Sequence, residues 1–195
     1  ILDLGDQIGA DGELFVTKTG EKSLKTTSWM LLSKSLLPLP EKWHGLQDVE
    51  LRFRHRYLDL IANPEVRELF NKRTSTIREI RNFLFERGFS EVETPMLQDT
   101  AGGAAANPFV THYKALGQDM FMRIAPELFL KRLLVGGYDK VFELNRNFRN
   151  EGLDRSHNPE FTMLEIYEAY SELRVMIKIV QYLITHVSQK VFGGL

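Results

Sequence analysis

The 195-residue chain contains no cysteine, which excludes disulfides and thiolate-bound zinc and fits a reducing cytosol. No apolar run approaches the roughly 20 residues that span a bilayer, and the first residues do not read as a secretory signal; a cytoplasmic protein with no membrane partner is expected. Charge is balanced, with 25 Lys and Arg against 26 Asp and Glu and a net −1. No global basic field therefore attracts nucleic acid, and any RNA contact must use a local patch. There is no GxxxxGK[ST] loop and no GxGxxG fingerprint, and Gly102-Gly103 stands alone, so P-loop and dinucleotide-binding enzymes are disfavoured. No GxSxG elbow is present. The five histidines (His44, His55, His112, His157, His186) lack metal-ligand spacing, and no metal ligand is assigned. What the chain does have is 43% apolar and 26% charged residues. That is the composition of a packed globular protein, long enough for one large domain or one domain plus a small one.

Residues 1–39 read as β. Short strands are expected around Glu13–Thr17 and Trp29–Leu32, with turns at Asp11-Gly12 and Thr19-Gly20. Lys18, Lys22 and Lys25 form either a solvated hairpin face or an RNA-backbone contact on a small barrel. Pro38-Leu39-Pro40 reads as a linker. Asp48 then caps a helix carrying Val49, Leu51, Phe53 and Tyr57. A second helix opens at Asn63-Pro64, carries an apolar stripe of Val66, Phe70, Ile77, Ile80 and Leu84, and ends at Gly88. A strand follows over 89–95, with strand-like segments around 109–111 and 120–124. A helix starts at Pro126 and ends at Gly136-Gly137, and a last helix covers about 172–191.

The densest chemistry lies in residues 142–170, FELNRNFRNEGLDRSHNPEFTMLEIYEAY. Two alternating strands flank a polar loop. Arg149 and Glu151 sit at its near end, and His157, Phe161 and Glu165 follow. A guanidinium holds a phosphate oxygen, an aromatic ring stacks on a purine, and a carboxylate held in a sheet pairs with an ammonium group. The set suits a nucleotide together with a cationic small molecule.

Two motifs carry a family resemblance. Arg87 to Pro95 (RGFSEVETP) is a glycine after a helix followed by a short strand ending in proline, like the first motif of class II aminoacyl-tRNA synthetases. Phe148-Arg149-Asn150-Glu151, a loop and a return strand entered by Phe161 are similar to the second motif. RNFRNEG with HNPEFTMLEIYEAY, THYKAL, MRIAPELFLKRLLVGG, and LPLPEKWHGLQD ahead of RYLDLI resemble the bacterial lysyl-tRNA synthetases. The resemblance covers nearly the whole chain.

It implies an α+β fold: part of an antiparallel class II sheet with flanking helices, preceded by the last strands of an OB-fold barrel. The expected domains are a partial anticodon-binding barrel at 1–40, a linker and helix at 41–63, and the N-terminal part of the catalytic domain at 64–195. The implied activity is ATP-dependent activation of L-lysine to lysyl-adenylate and transfer to tRNA-Lys, with Mg2+ whose ligands lie mostly outside this chain. A homodimer through the first-motif region is also implied. The third class II motif does not occur before Leu195, so the reading is of a truncated chain, inactive alone. The resemblance gives Arg149 the α-phosphate, Glu151 the adenine amino group, His157 the outer phosphates and Phe161 the adenine ring. It gives Gly103, Glu127, Glu165 and Tyr167 the lysine. Glu165 lies four residues beyond Phe161, so an extended strand presents both on one face. The elongation-factor-P lysylating paralogue, the aspartyl and asparaginyl enzymes, and a non-catalytic binding module remain alternatives.

Overall fold

The computed structural model describes residues 2–40, 45–152, 154 and 156–194. Of the expected linker stretch, residues 41–44, including His44, lie outside the described residues. The chain divides into two units, Ile1–Lys72 and Arg73–Leu195.

In the first unit, β1 (Gln7–Val16) and β2 (Lys22–Ser33) form one antiparallel hairpin. The turn at Thr19-Gly20 forms as expected: Gly20 takes φ +84, and Thr17 Oγ1 accepts from the Glu21 amide at 3.0 Å. Asp11-Gly12 is not a turn. It lies inside β1 at a register shift, and a Cβ on Gly12 would come within 2.2 Å of the Lys25 carbonyl oxygen. The glycine therefore serves close strand approach at a bulge, not chain reversal, and two short strands become two long arms.

Helix α1 (Val49–Arg54) is capped by Asp48, whose Oδ1 accepts from the Leu51 amide at 2.8 Å. The single helix expected here breaks at His55 (φ −116, ψ 57), and α2 (Arg56–Ala62) carries Tyr57. Asp59, fully buried, explains why the two short helices stay together: it takes Arg52 Nε at 2.8 Å, Asn63 Nδ2 at 2.7 Å and Arg56. Burial opposes its charge, but the bonds from Asn63 and Arg52 outweigh burial and hold its carboxyl below the ordinary range.

Helix α3 (Pro64–Phe85) begins at a proline, whose missing N–H is no loss in a first turn. It closes at Gly88, at φ +78, with the Phe89 amide donating back to the Leu84 carbonyl at 3.1 Å.

In the second unit, β3 (Ser90–Glu91) is far shorter than the strand expected over 89–95. It pairs parallel with β7 (Lys140–Phe148), which pairs antiparallel with β8 (Glu160–Glu168) over all nine residues. The sheet is therefore mixed, not wholly antiparallel. The long path between β3 and β7 lets the chain return in the same direction, whereas a hairpin enforces reversal. A second sheet has the order β4 (Leu97–Gln98), β6 (Gln118–Met122), β5 (Val110–Tyr113), all antiparallel. Helix α4 (Glu127–Val135) follows Pro126 and packs against β7 and β8. Helix α5 (Leu173–Val187) ends in a π-helical turn, Ser188–Phe192.

Alternation along β7 and β8 splits the sheet chemically. Phe142, Leu144, Leu164 and Ile166 pack with Phe83, Leu84, Phe89 and Leu183 in the core. Burying each large apolar side chain contributes roughly 1.5–3 kcal/mol. The residues between them face the other way.

Candidate active site

The uninterrupted β7–β8 register places four pairs on that second face: Asn147 with Phe161, Asn145 with Met163, Glu143 with Glu165, and Val141 with Tyr167. Phe161 and Glu165 thus share one floor, about 13 Å apart along the strand at about 3.3 Å per residue.

At one end, Arg149, Glu151, His157 and Phe161 line a single cavity of about 220 Å³, together with Gly152, Ser156 and Asn158. Arg149 directly follows β7. Its amide donates to the Pro159 carbonyl at 2.9 Å, closing the neck of the loop. Its guanidinium carbon lies 5.2 Å from the Phe161 ring centroid, and its Nε is buried with no hydrogen-bond partner among the described residues. A cation stacked on a ring with a spare buried donor is suited to an anionic ligand. Glu151 is exposed beside it.

The loop is organised by Asp154. Its Oδ1 accepts from the Ser156 amide at 2.7 Å, the Ser156 hydroxyl at 3.0 Å and the His157 amide at 2.9 Å, and its Oδ2 meets His157 Nδ1 at 2.7 Å. These bonds, the Ser156 amide foremost and the His157 side chain next, hold the Asp154 carboxyl far below the usual range. His157 is thereby tethered through Nδ1, and Nε2 is the ring nitrogen turned away from Asp154.

At the other end, Glu165 is half-buried, and the Tyr167 hydroxyl donates to its Oε2 at 3.1 Å. Burial pushes the Glu165 carboxyl up; Tyr167 and Arg123 oppose this, while Glu127 and Glu143 add to it. The Tyr167 hydroxyl is raised too, by burial first and then by the Glu165 charge. Glu127 opens α4 and pairs with Lys131 one turn on. Gly103, at φ +87, lies against it: a Cβ there would stand 3.1 Å from Glu127 Cβ and 3.2 Å from Ala125 Cβ. The four residues expected for lysine therefore form one neighbourhood, linked by contact or by charge.

Three features are not expected from the sequence: a buried ion pair, an aspartate that organises the loop, and a buried asparagine. Arg123 and Glu143, each 1% exposed, form a buried ion pair at 2.5 Å. The Thr94 hydroxyl donates to Glu143 Oε2 at 2.7 Å, and Arg123 Nε donates to the Arg146 carbonyl at 2.8 Å. Breaking such a pair by removing one partner costs about 3–5 kcal/mol. Asp154 is the second. The third is Asn147, also 1% exposed, whose Oδ1 has no hydrogen-bond partner among the described residues. For Glu143 and Asn147 the available signal was parity: they share a face with Asn145, and Phe142, Leu144, Arg146 and Phe148 take the other.

Residues 48–195 match the tRNA synthetases class II (D, K and N). The chain is 60% identical over 194 residues to a lysine–tRNA ligase of Carboxydothermus hydrogenoformans, covering 100% of this chain and 40% of the relative. It is 59% identical over 194 residues to that of Syntrophomonas wolfei, covering 100% and 39%. It is 56% identical over 191 residues to that of Clostridium botulinum, covering 98% and 38%. The chain thus spans about 40% of the length of these curated relatives. With the two-strand floor, the arginine at its neck and a family match over three quarters of its length, the chain belongs to the class II tRNA synthetases of the D, K and N group.

Proposed function

We propose that the protein is a lysine–tRNA ligase, activating L-lysine with ATP and transferring the lysyl group to tRNA-Lys in the cytoplasm. One observation carries the choice of lysine. Glu165 is a half-buried carboxylate with a raised pKa, set beside Glu127 and hydrogen-bonded by a tyrosine hydroxyl. A compact ammonium with three donors relieves that repulsion. An aspartate or asparagine side chain brings no cation to Glu165.

In this reading the purine stacks on Phe161 with its amino group donating to Glu151, and His157 meets the outer phosphates. Arg149 lies against the α-phosphate. The lysine carboxylate attacks the α-phosphorus, the bond to the bridging oxygen breaks, and pyrophosphate leaves, giving a mixed anhydride. Arg149 neutralises charge gathering on the phosphoryl oxygens. A terminal tRNA hydroxyl then attacks the lysyl carbonyl and AMP departs. Glu165 and Tyr167 hold the side chain, Glu127 the α-amino group, and Gly103 leaves room for close backbone approach. Class II enzymes of this kind use magnesium with ATP. Among the described residues no three acidic, histidine or cysteine side chains converge as metal ligands. The reading also takes residues 1–40 as part of an OB-fold anticodon-binding barrel, 41–63 as linker and helix, and 64–195 as catalytic domain. It takes the helix and strand around Gly88 as a homodimer surface.

The test is amino-acid-dependent ATP–pyrophosphate exchange. It uses a chimera in which this chain replaces the matching segment of the Carboxydothermus relative, with lysine, aspartate and asparagine in parallel. Exchange with lysine alone is expected. Exchange with aspartate or asparagine, or none with lysine in a folded chimera, overturns the reading.

A further inference from the structure

Glu143 and Glu165 are directly opposite one another on one face of the β7–β8 hairpin. Like charges in that position repel, so one of them must be compensated. Arg123 enters from the end of β6 and is as deeply buried as Glu143. Its Nη1 meets Glu143 Oε1 at 2.5 Å and Thr94 Oγ1 at 3.1 Å, and its Nε is taken by the Arg146 carbonyl. Glu143 in turn accepts from the Thr94 amide at 3.3 Å, the Thr94 hydroxyl at 2.7 Å and Asn145 Nδ2 at 3.3 Å. The direct bond and the bridging Thr94 hydroxyl hold Arg123 and Glu143 together. Glu165 receives only the Tyr167 hydroxyl among the described residues. Glu127, Glu143, Glu165 and the Arg123 guanidinium thus act on one another at this end of the floor, and the carboxylate paired with the guanidinium is the deeply buried Glu143.

We infer that Arg123 and Glu143 are specificity-determining positioning residues: Arg123 commits itself to Glu143 and so leaves Glu165 as the carboxylate open to the substrate's side-chain ammonium. This rests on the reading of Glu165 as the lysine side-chain partner. The charges that face Glu165 act accordingly: Glu127 from α4 and Glu143 from β7 push its carboxyl up, while Arg123 and the Tyr167 hydroxyl draw it down. If Glu143 loses its charge, the buried guanidinium has one carboxylate left on this face, and it competes with substrate for Glu165. The Thr94 bonds tie this partition to the segment after β3, so the first-motif strand supports the amino-acid end from below.

The experiment uses the chimera and measures exchange kinetics for Glu143→Gln, the double variant Arg123→Met/Glu143→Gln, and Glu165→Gln. For Glu143→Gln, KM for lysine rises about tenfold or more, while KM for ATP stays within about twofold and kcat falls less than about threefold. The double variant removes the competing cation and brings KM for lysine back to within about threefold of the parent, even though its stability is lower. A merely structural pair moves the lysine and ATP constants together in both variants. A folded Glu143→Gln protein with unchanged lysine KM, or a double variant without recovery, overturns the inference.

If Glu143→Gln does not fold, Thr94→Val decides. Losing the hydroxyl exposes more of the Glu143 charge to Glu165, and the acid limb of kcat/KM for lysine moves to higher pH; a stationary limb overturns the inference. Glu165→Gln separates the two levels. If it leaves lysine KM untouched, the reading of the lysine site fails. If it raises lysine KM while Glu143→Gln does not, only the charge partition fails.

Discussion

Gly103→Ala tests the amino-acid end through its tightest contact. Two costs follow from the structure. Gly103 holds φ +87, a left-handed conformation that costs an L-residue roughly 1–2 kcal/mol. Its new Cβ would lie 3.1 Å from Glu127 Cβ and 3.2 Å from Ala125 Cβ, which demands a few tenths of an ångström of movement and adds about 1–3 kcal/mol of overpacking. Behind Ala125 the backbone is anchored, since the Arg123 amide donates to the Met96 carbonyl at 2.8 Å. Relief therefore comes mainly by tilting the start of α4 and displacing Glu127. The variant is expected to unfold at a lower temperature and to lose about tenfold in kcat/KM for lysine, with KM for ATP within about twofold. Thermal unfolding and pyrophosphate exchange on the same chimera measure both. Parallel rises in the lysine and ATP constants would place Gly103 outside the amino-acid end. Unchanged stability and unchanged lysine kinetics would refute the steric reasoning itself.

Arg149→Ala is expected to slow adenylate formation about 100-fold or more, near 3 kcal/mol, in single-turnover exchange; a defect confined to tRNA binding would remove Arg149 from the chemistry. The raised Glu165 pKa sets a pH limb: protonation as pH falls removes the anion, so kcat/KM for lysine declines at a pH above the ordinary glutamate value of about 4.3. Glu165→Gln abolishes that limb. Asp154→Asn removes the anionic acceptor that gathers Ser156 and His157, and KM for ATP is expected to rise several-fold while lysine KM holds, checked by steady-state kinetics. Phe83→Ala, at a core position 1% exposed, should lower stability by about 3–5 kcal/mol in chemical denaturation and leave both KM values unchanged at permissive temperature.

The hairpin floor was legible because its two signals agree. Period-two alternation in residues 142–148 and 160–168 sets strand and face together, so Phe161, Glu165 and Tyr167 fall on one side without any tertiary information. Pro64, Gly88 and Pro126 marked the helix boundaries for local steric reasons. Partners distant in sequence were not legible. Arg123 and Glu143 are 20 residues apart, and nothing local says that a charge at a strand end will turn inward. The parallel pairing of β3 depends on the path of the intervening chain. Asp11-Gly12 carries the same dipeptide as a tight turn, yet the long register of β1 with β2 overrides it. Asp154 is one of several polar residues in its loop, and its four bonds depend on how the loop folds back on it.

The continuous register of β7 has a consequence for how such a sequence can change. Arg149 just past its end, Glu143 in its middle and the core residues Phe142 and Leu144 on either side of Glu143 are all fixed by counting in twos. Inserting or deleting a single residue between Glu143 and Phe148 would turn every later side chain to the opposite face, sending phenylalanine to the face of Glu143 and Glu165 and asparagine into the core. Length variation is therefore tolerable only in pairs, or in the loop that begins after Arg149. In directed recombination, productive crossovers should cluster in that loop and leave β7 and β8 intact as inherited blocks.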